Sequence, residues 1–191
     1  MNKWYITLGF VLVAVLVVFS LGQNGTSNIT QNSYEATDAN EQPASNEQPN
    51  VNGSALGDVV PETLGDFTLV GLLVGEEALA DIDRLHGTAI DIIDGIIAEY
   101  ANDRGDFFVL WISESRDEEE AYWLFEIMDE MMPRSPTYIG RTEVTIANQD
   151  MIYVTSARME NYYWATGIYN YWIGIYDGDD EEIVELVIDN F

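Results

Sequence analysis

Residues Trp4 to Leu21 read WYITLGFVLVAVLVVFSL, 18 positions without a charge, and this run decides how much chain is left to build a core. About 18 to 20 apolar residues are what a helix needs to cross a bilayer. Lys3 and the terminal amine precede the run and would hold the N-terminus in the cytoplasm, sending the downstream chain outward. Trp4 and Tyr5 stand where interfacial aromatics belong. The sequence therefore predicts a signal-anchor, a transmembrane helix over residues 1–22, on a single-pass protein of the cell membrane. The rival is a signal peptide cleaved near Ser20-Leu21-Gly22, which lacks an A-x-A site and would release a secreted domain. Both readings make the remainder extracytoplasmic.

Residues 23–60 cannot add to a core. They are rich in Asn, Gln, Ser and Thr, and Asn40-Glu41-Gln42-Pro43 recurs as Asn46-Glu47-Gln48-Pro49. No apolar period runs through them, so burial cannot offset the entropy of ordering the chain. A disordered linker of this length spans about 35 Å root-mean-square. Glycosylation sequons begin at Asn24, Asn28 and Asn52, all in this segment, which fits an exported chain. Folding is left to residues 61–191, enough chain for one sizeable core.

Charge narrows the chemistry. The chain has 34 acids, 7 bases, one histidine and no cysteine. Without cysteine there are no disulfides, thiolate nucleophiles, Cys-ligated zinc or lipid-modified lipoprotein cysteine. Lys3 is the only lysine, so residues 61–191 hold no Schiff-base or P-loop lysine. His86 stands alone, which rules out a two-histidine metal site within one chain. A formal charge of −27 argues against nucleic acid and anionic membrane surfaces, because both recruit Lys and Arg. Acid-rich, lysine-poor surfaces hold hydration and counterions at high salt and repel themselves at low salt. The composition reads as that of a halophile-like prokaryotic surface, with an ordinary acidic secreted protein as the plainer reading.

Periodicity predicts an α+β domain of mostly antiparallel sheet with three helices. Strands are expected at Phe67–Leu73, Ala89–Ile93, Ile96–Tyr100, Phe107–Ser113, Tyr138–Ala147, Met151–Ala157, Tyr162–Thr166 and Tyr169–Tyr176. Asp94-Gly95, between isoleucine-rich runs, reads as a hairpin turn, and so does Arg104-Gly105-Asp106. Helices are expected at Glu76–Leu85 with Gly87 as C-terminal cap, at Ser115–Met132 opened by a Ser115–Glu118 capping box, and at Asp179–Phe191. The second helix would turn Ala121, Leu124, Phe125, Met128, Met131 and Met132 inward. The order suggests a cryptic duplication of a β-α-β-β unit, with the helices on one face of the sheet.

Three features invite a site. Tyr162, Tyr163, Trp164, Tyr169, Tyr171, Trp172 and Tyr176 crowd one hairpin. Alternate residues of a strand face opposite ways. One row of this band would enter the core with Trp172, while Tyr163, Tyr169 and Tyr171 would form a ligand-contact platform for a sugar ring or a protein. Cross-strand aromatic packing is the plainer alternative. The run Asp177-Gly178-Asp179-Asp180-Glu181-Glu182 offers Asp177, Asp179 and Asp180 as oxygen ligands for Ca²⁺, against the simpler role of capping a helix. His86 could act as a base beside Asp81 or Asp83, although no nucleophile motif accompanies it. The expectation is a membrane-anchored, outward-facing, non-catalytic binding or assembly module whose partner is a cell-surface protein or glycan. The alternative is an extracytoplasmic hydrolase working with carboxylates.

Overall fold

A computed structural model describes residues 54–86 and 90–191. The signal-anchor, the linker to residue 53, the three sequons, the Gly87 cap and Ala89 lie outside the described residues. The elements are β1 (Thr63–Leu64), β2 (Phe67–Val74), α1 (Glu76–His86), β3 (Asp94–Ala101), β4 (Phe107–Glu114), α2 (Glu118–Met131), β5 (Ile139–Ile146), β6 (Gln149–Thr155), β7 (Glu160–Thr166), β8 (Tyr169–Asp177) and α3 (Asp180–Asn190). The fold is α+β, with three helices and one 8-stranded sheet of order β1-β2-β3-β4-β8-β7-β6-β5 among the described residues. Every neighbouring pair is antiparallel. Two meanders thus meet along β4 and β8, and α1 interrupts only the first of them.

Both faces of the sheet are covered, not one. Ile96, Ala98 and Tyr100 of β3, Phe108, Leu110 and Ile112 of β4, and Ile173 and Ile175 of β8 are at most 2 % exposed and pack with Ile183, Val184 and Val187 of α3. The intervening Ile97 and Val109 point the other way, against Ala78 and Ile82 of α1. Further along that second face, Ile152, Val154 and Tyr163 lie with Phe125 and Met128 of α2 and with Met132. The reason is in the strands. Phe107–Ile112 is apolar at every position, so no single covering layer could bury it. Helix α3 also touches β1 and β5, the two edge strands, so the twisted sheet curls around it.

Asp94-Gly95 is not a turn, and residues 90–93 are not a strand. Asp94 and Gly95 open β3 and pair with Glu114 and Ser113. The Asp94 carboxylate is engaged elsewhere: Oδ2 accepts from Ser54 Oγ (2.9 Å) and from the Leu56 amide (3.3 Å). The side chain thereby ties the incoming chain to the sheet. Ser54 and Leu56 are buried, so the folded part starts upstream of Pro61. The β3–β4 hairpin closes at Asn102–Asp106, where Gly105 takes φ +93°, a left-handed geometry that glycine adopts without a Cβ clash.

The cap of α2 is displaced by two residues from its expected place. Asp117 Oδ1 accepts from the Glu120 amide (2.9 Å), and Glu120 Oε2 accepts from the Arg116 amide (2.9 Å). Ser115 is held just past the end of the β4–β8 ladder, its amide donating to Ile168 O (2.8 Å). After Met131 the chain tightens into a 3₁₀ turn, Met132–Arg134, that contains Pro133.

Candidate functional site

The aromatic hairpin is core. Register pairs Tyr163 with Trp172 and Trp164 with Tyr171. Tyr163 and Trp172 stack with ring centroids 5.0 Å apart and planes 5° from parallel; Trp164 and Tyr171 stack at 4.8 Å and 3°. The stacks stand back to back, the first against α2 and the second in the core around α3. Tyr163 is fully buried, and its hydroxyl donates to Asp129 Oδ1 on α2 (2.9 Å). Tyr171 is 5 % exposed, and its hydroxyl donates to Phe191 O (3.3 Å). Tyr169 is half-buried, edge-on to Tyr171 at 6.4 Å. Burial raises the pKa of all three phenols. An exposed platform of Tyr163, Tyr169 and Tyr171 is therefore corrected to packed sheet, and Tyr171 is not the outward partner of an inward Trp172. Trp172 sits beneath α2, its Nε1 donating to the buried Asn161 Oδ1 (3.2 Å). With α2 over one face of β8 and the core around α3 on the other, its central aromatics have no outward row, and only its end, at Tyr176, is exposed.

The acidic run caps α3. Asp179 Oδ1 accepts from the Glu182 amide (3.1 Å), Asp177 Oδ1 accepts from the Gly178 amide (3.1 Å), and Asp180 Oδ2 accepts from the Tyr162 hydroxyl (3.0 Å). Their carboxylates are thus directed to three separate donors. Among the described residues no three His, Asp or Glu side chains are grouped so as to hold a metal ion. His86 Nδ1 lies 2.8 Å from Ile82 O, one turn back on its own helix. Asp83 Oδ1 instead accepts from the Ile90 amide (2.8 Å), so the histidine and the carboxylate serve different neighbours.

An open groove of about 560 Å³ lies between the end of β5 and the start of α3, lined by Val144, Ile146, Tyr162, Asp179, Asp180 and Glu181. Burial lifts the Asp180 carboxyl above its ordinary pKa; the Tyr162 hydrogen bond opposes this, and the charges of Glu160 and Asp179 add to it. One phenol–carboxylate pair thus sits in an acidic, shallow wall.

The two most exposed aromatics among the described residues lie on α2; Tyr176 near the end of β8 is 38 % exposed. Its buried side holds Ala121, Phe125, Met128 and the following Met132, and Asp129 locks the helix in place. Arg141 of β5 grips Asp129 with two bonds, Nε to Oδ1 at 2.6 Å and Nη2 to Oδ2 at 2.7 Å. On the outer side Tyr122 and Trp123 are each 57 % exposed and Ile127 is 36 % exposed. Trp123 and Ile127 are four residues apart and so lie one above the other on the helix surface. Glu119 stands one turn before Trp123, Glu126 one turn after it and Glu130 one turn after Ile127, all exposed. The result is an apolar ridge with an acidic border on an element fixed from below by charge-assisted hydrogen bonds. These residues were open to sequence reasoning: an inward stripe that already holds Ala121, Phe125 and Met128 leaves Trp123 and Ile127 on the far side. The chain matches no known protein family, no curated protein and no solved structure.

Proposed function

We propose that the protein is a membrane-anchored, extracytoplasmic binding or assembly module on an acidic, halophile-like cell surface, making contact through the α2 ridge. The observation that carries this reading is the pair Tyr122 and Trp123, each 57 % exposed on a helix that the rest of the fold holds still. Large aromatic rings left in water beside aliphatic surface mark contact sites, because their burial is what a partner gains. The anchor and the outward orientation rest on the apolar run and Lys3. The partner is a cell-surface protein or a glycan. A cryptic duplication of a β-α-β-β unit is supported by one such run alone, β2-α1-β3-β4; the second meander, β5 to β8, holds no helix.

A second reading, the carboxylate-dependent hydrolase, is favoured by one observation: Asp180, with its raised pKa, borders the groove beside α3. A carboxyl whose pKa is raised holds its proton to a higher pH than a free one, the direction a general acid needs. One assay addresses both. The full-length protein, its Trp123→Ser variant and its Asp180→Asn variant are immobilised and exposed to cell-surface extract and to an array of glycans. Binding lost in Trp123→Ser and kept in Asp180→Asn supports the module. Turnover of a captured glycan that disappears in Asp180→Asn would replace it with the hydrolase.

A further inference from the structure

Resting on the reading of α2 as the contact surface, we infer that its partner is a cationic amphipathic protein segment, one that lays an apolar stripe on Trp123 and Ile127 and points Lys or Arg at the surrounding glutamates. Charge complementarity around an apolar centre selects this occupant. Exposed Glu119, Glu126 and Glu130 border the ridge, and the helix carries no basic residue in its last turn. Acids near a helix C-terminus face the negative end of its dipole, so Glu130 stands where a cation from outside would be most stabilising. Asp129 beside it is already held by Arg141. Arg134, the nearest cation downstream, is directed at Met131 Sδ (3.7 Å). A second copy of this chain would set acid against acid across the ridge and is disfavoured. Anionic lipid is disfavoured for the same reason. Apolar anchors at a spacing of four residues, bordered by charge, are what one helix presents to another.

The probe is a synthetic helical peptide of leucine and lysine, with a leucine–glutamate counterpart, each labelled for fluorescence anisotropy. The full chain is embedded in nanodiscs of neutral lipid, empty nanodiscs give the background, and binding is compared at about 0.15 M and at molar NaCl, because molar salt screens exposed Lys–Glu pairs along with diffuse attraction to an acidic protein. The leucine–lysine peptide should bind, and Trp123→Ser with Ile127→Ser should weaken it at least about tenfold. Ile139→Ser, which changes another exposed apolar residue, should leave it unaltered. Glu126→Lys with Glu130→Lys should reverse the preference toward the leucine–glutamate peptide. Equal binding to wild type and to the double serine variant overturns the inference, as does equal binding of the two peptides at the lower salt. So does a homodimer bridged at α2, or binding no stronger than that to empty nanodiscs. If these peptides fail while residue 123 still cross-links to a partner on cells, only the cationic chemistry falls and the contact surface stands.

Discussion

Tyr171 and Trp172 are consecutive residues, yet each stacks on a different ring on a different side of the sheet. Replacing Tyr171 with Ala removes a ring packed on Trp164 within the core around α3, a change that should cost about 3–5 kcal/mol. Trp123→Ala removes an exposed ring and should shift stability by no more than about 0.5 kcal/mol. Denaturant melts of the two variants in molar salt test the division between core and contact aromatics; comparable losses would erase it. Asp129 and Asp180 make a second prediction because their signs differ. Hydrogen bonds from Arg141 hold Asp129 below its ordinary pKa; burial opposes them, and the Tyr163 hydroxyl adds to them. A folded-state pKa below the unfolded one means that ionised Asp129 stabilises the fold above the unfolded value of about 4, and that this contribution is lost as pH falls through the lowered folded value. The raised pKa of Asp180 works the other way: its contribution is fully present below the unfolded value and is lost as pH rises through the folded value. Asp129→Asn should therefore be less stable than wild type at neutral pH, and Asp180→Asn more stable. Both differences should shrink in acid. Urea melts from neutral pH to pH 3 report the two signs, and a shared sign would contradict the assignment.

At the scale of elements, α2 shows what sequence pattern can and cannot convey. Its existence, its inward residues and its stop near Pro133 were legible, because apolar periodicity and a proline are local signals. Its first residue was not: Ser115-x-x-Glu118 and Asp117-x-x-Glu120 both spell a cap, and only pairing of the Ser115 amide with Ile168 decides between them. Asp94-Gly95 fails for a similar reason. The dipeptide suits a turn, but Asp94 binds Ser54 and Leu56 from a segment about 40 residues away in sequence. The expectation of helices on one face overlooked the unbroken apolar text of β4, which needs cover on both sides, and with both sides covered Trp172 and Tyr171 of β8 are each packed. The candidate site was less legible than the fold, since the density of tyrosines drew attention to the hairpin while exposure decides contact. Cap position is testable. Asp117→Ala should cost about 1 kcal/mol through loss of the bond to the Glu120 amide. Ser115 Oγ is buried without a partner, so Ser115→Ala should be neutral or stabilising. Thermal melts with the two effects reversed would restore Ser115 as the cap.

For the whole molecule, charge sets the working conditions. Residues 61–191 carry 29 acids against 6 arginines and no lysine, and the ion pairs of Arg84, Arg104, Arg116 and Arg141 engage only a few of those acids. Self-repulsion on that scale is weakened by salt, so the melting temperature should rise from low salt to molar NaCl. A flat or falling curve would return the domain to the ordinary acidic secreted class. An outward-facing module that makes contact through α2 can be tested in one measurement on intact spheroplasts at molar salt. A photo-crosslinking amino acid is placed at position 123, or at position 139 for comparison, in the full-length protein; the cells are irradiated and then treated with external protease. A contact surface outside the membrane should give an adduct from position 123 that is absent from position 139 and is destroyed by the protease. An adduct protected from protease, or equal adducts from both positions, would contradict it.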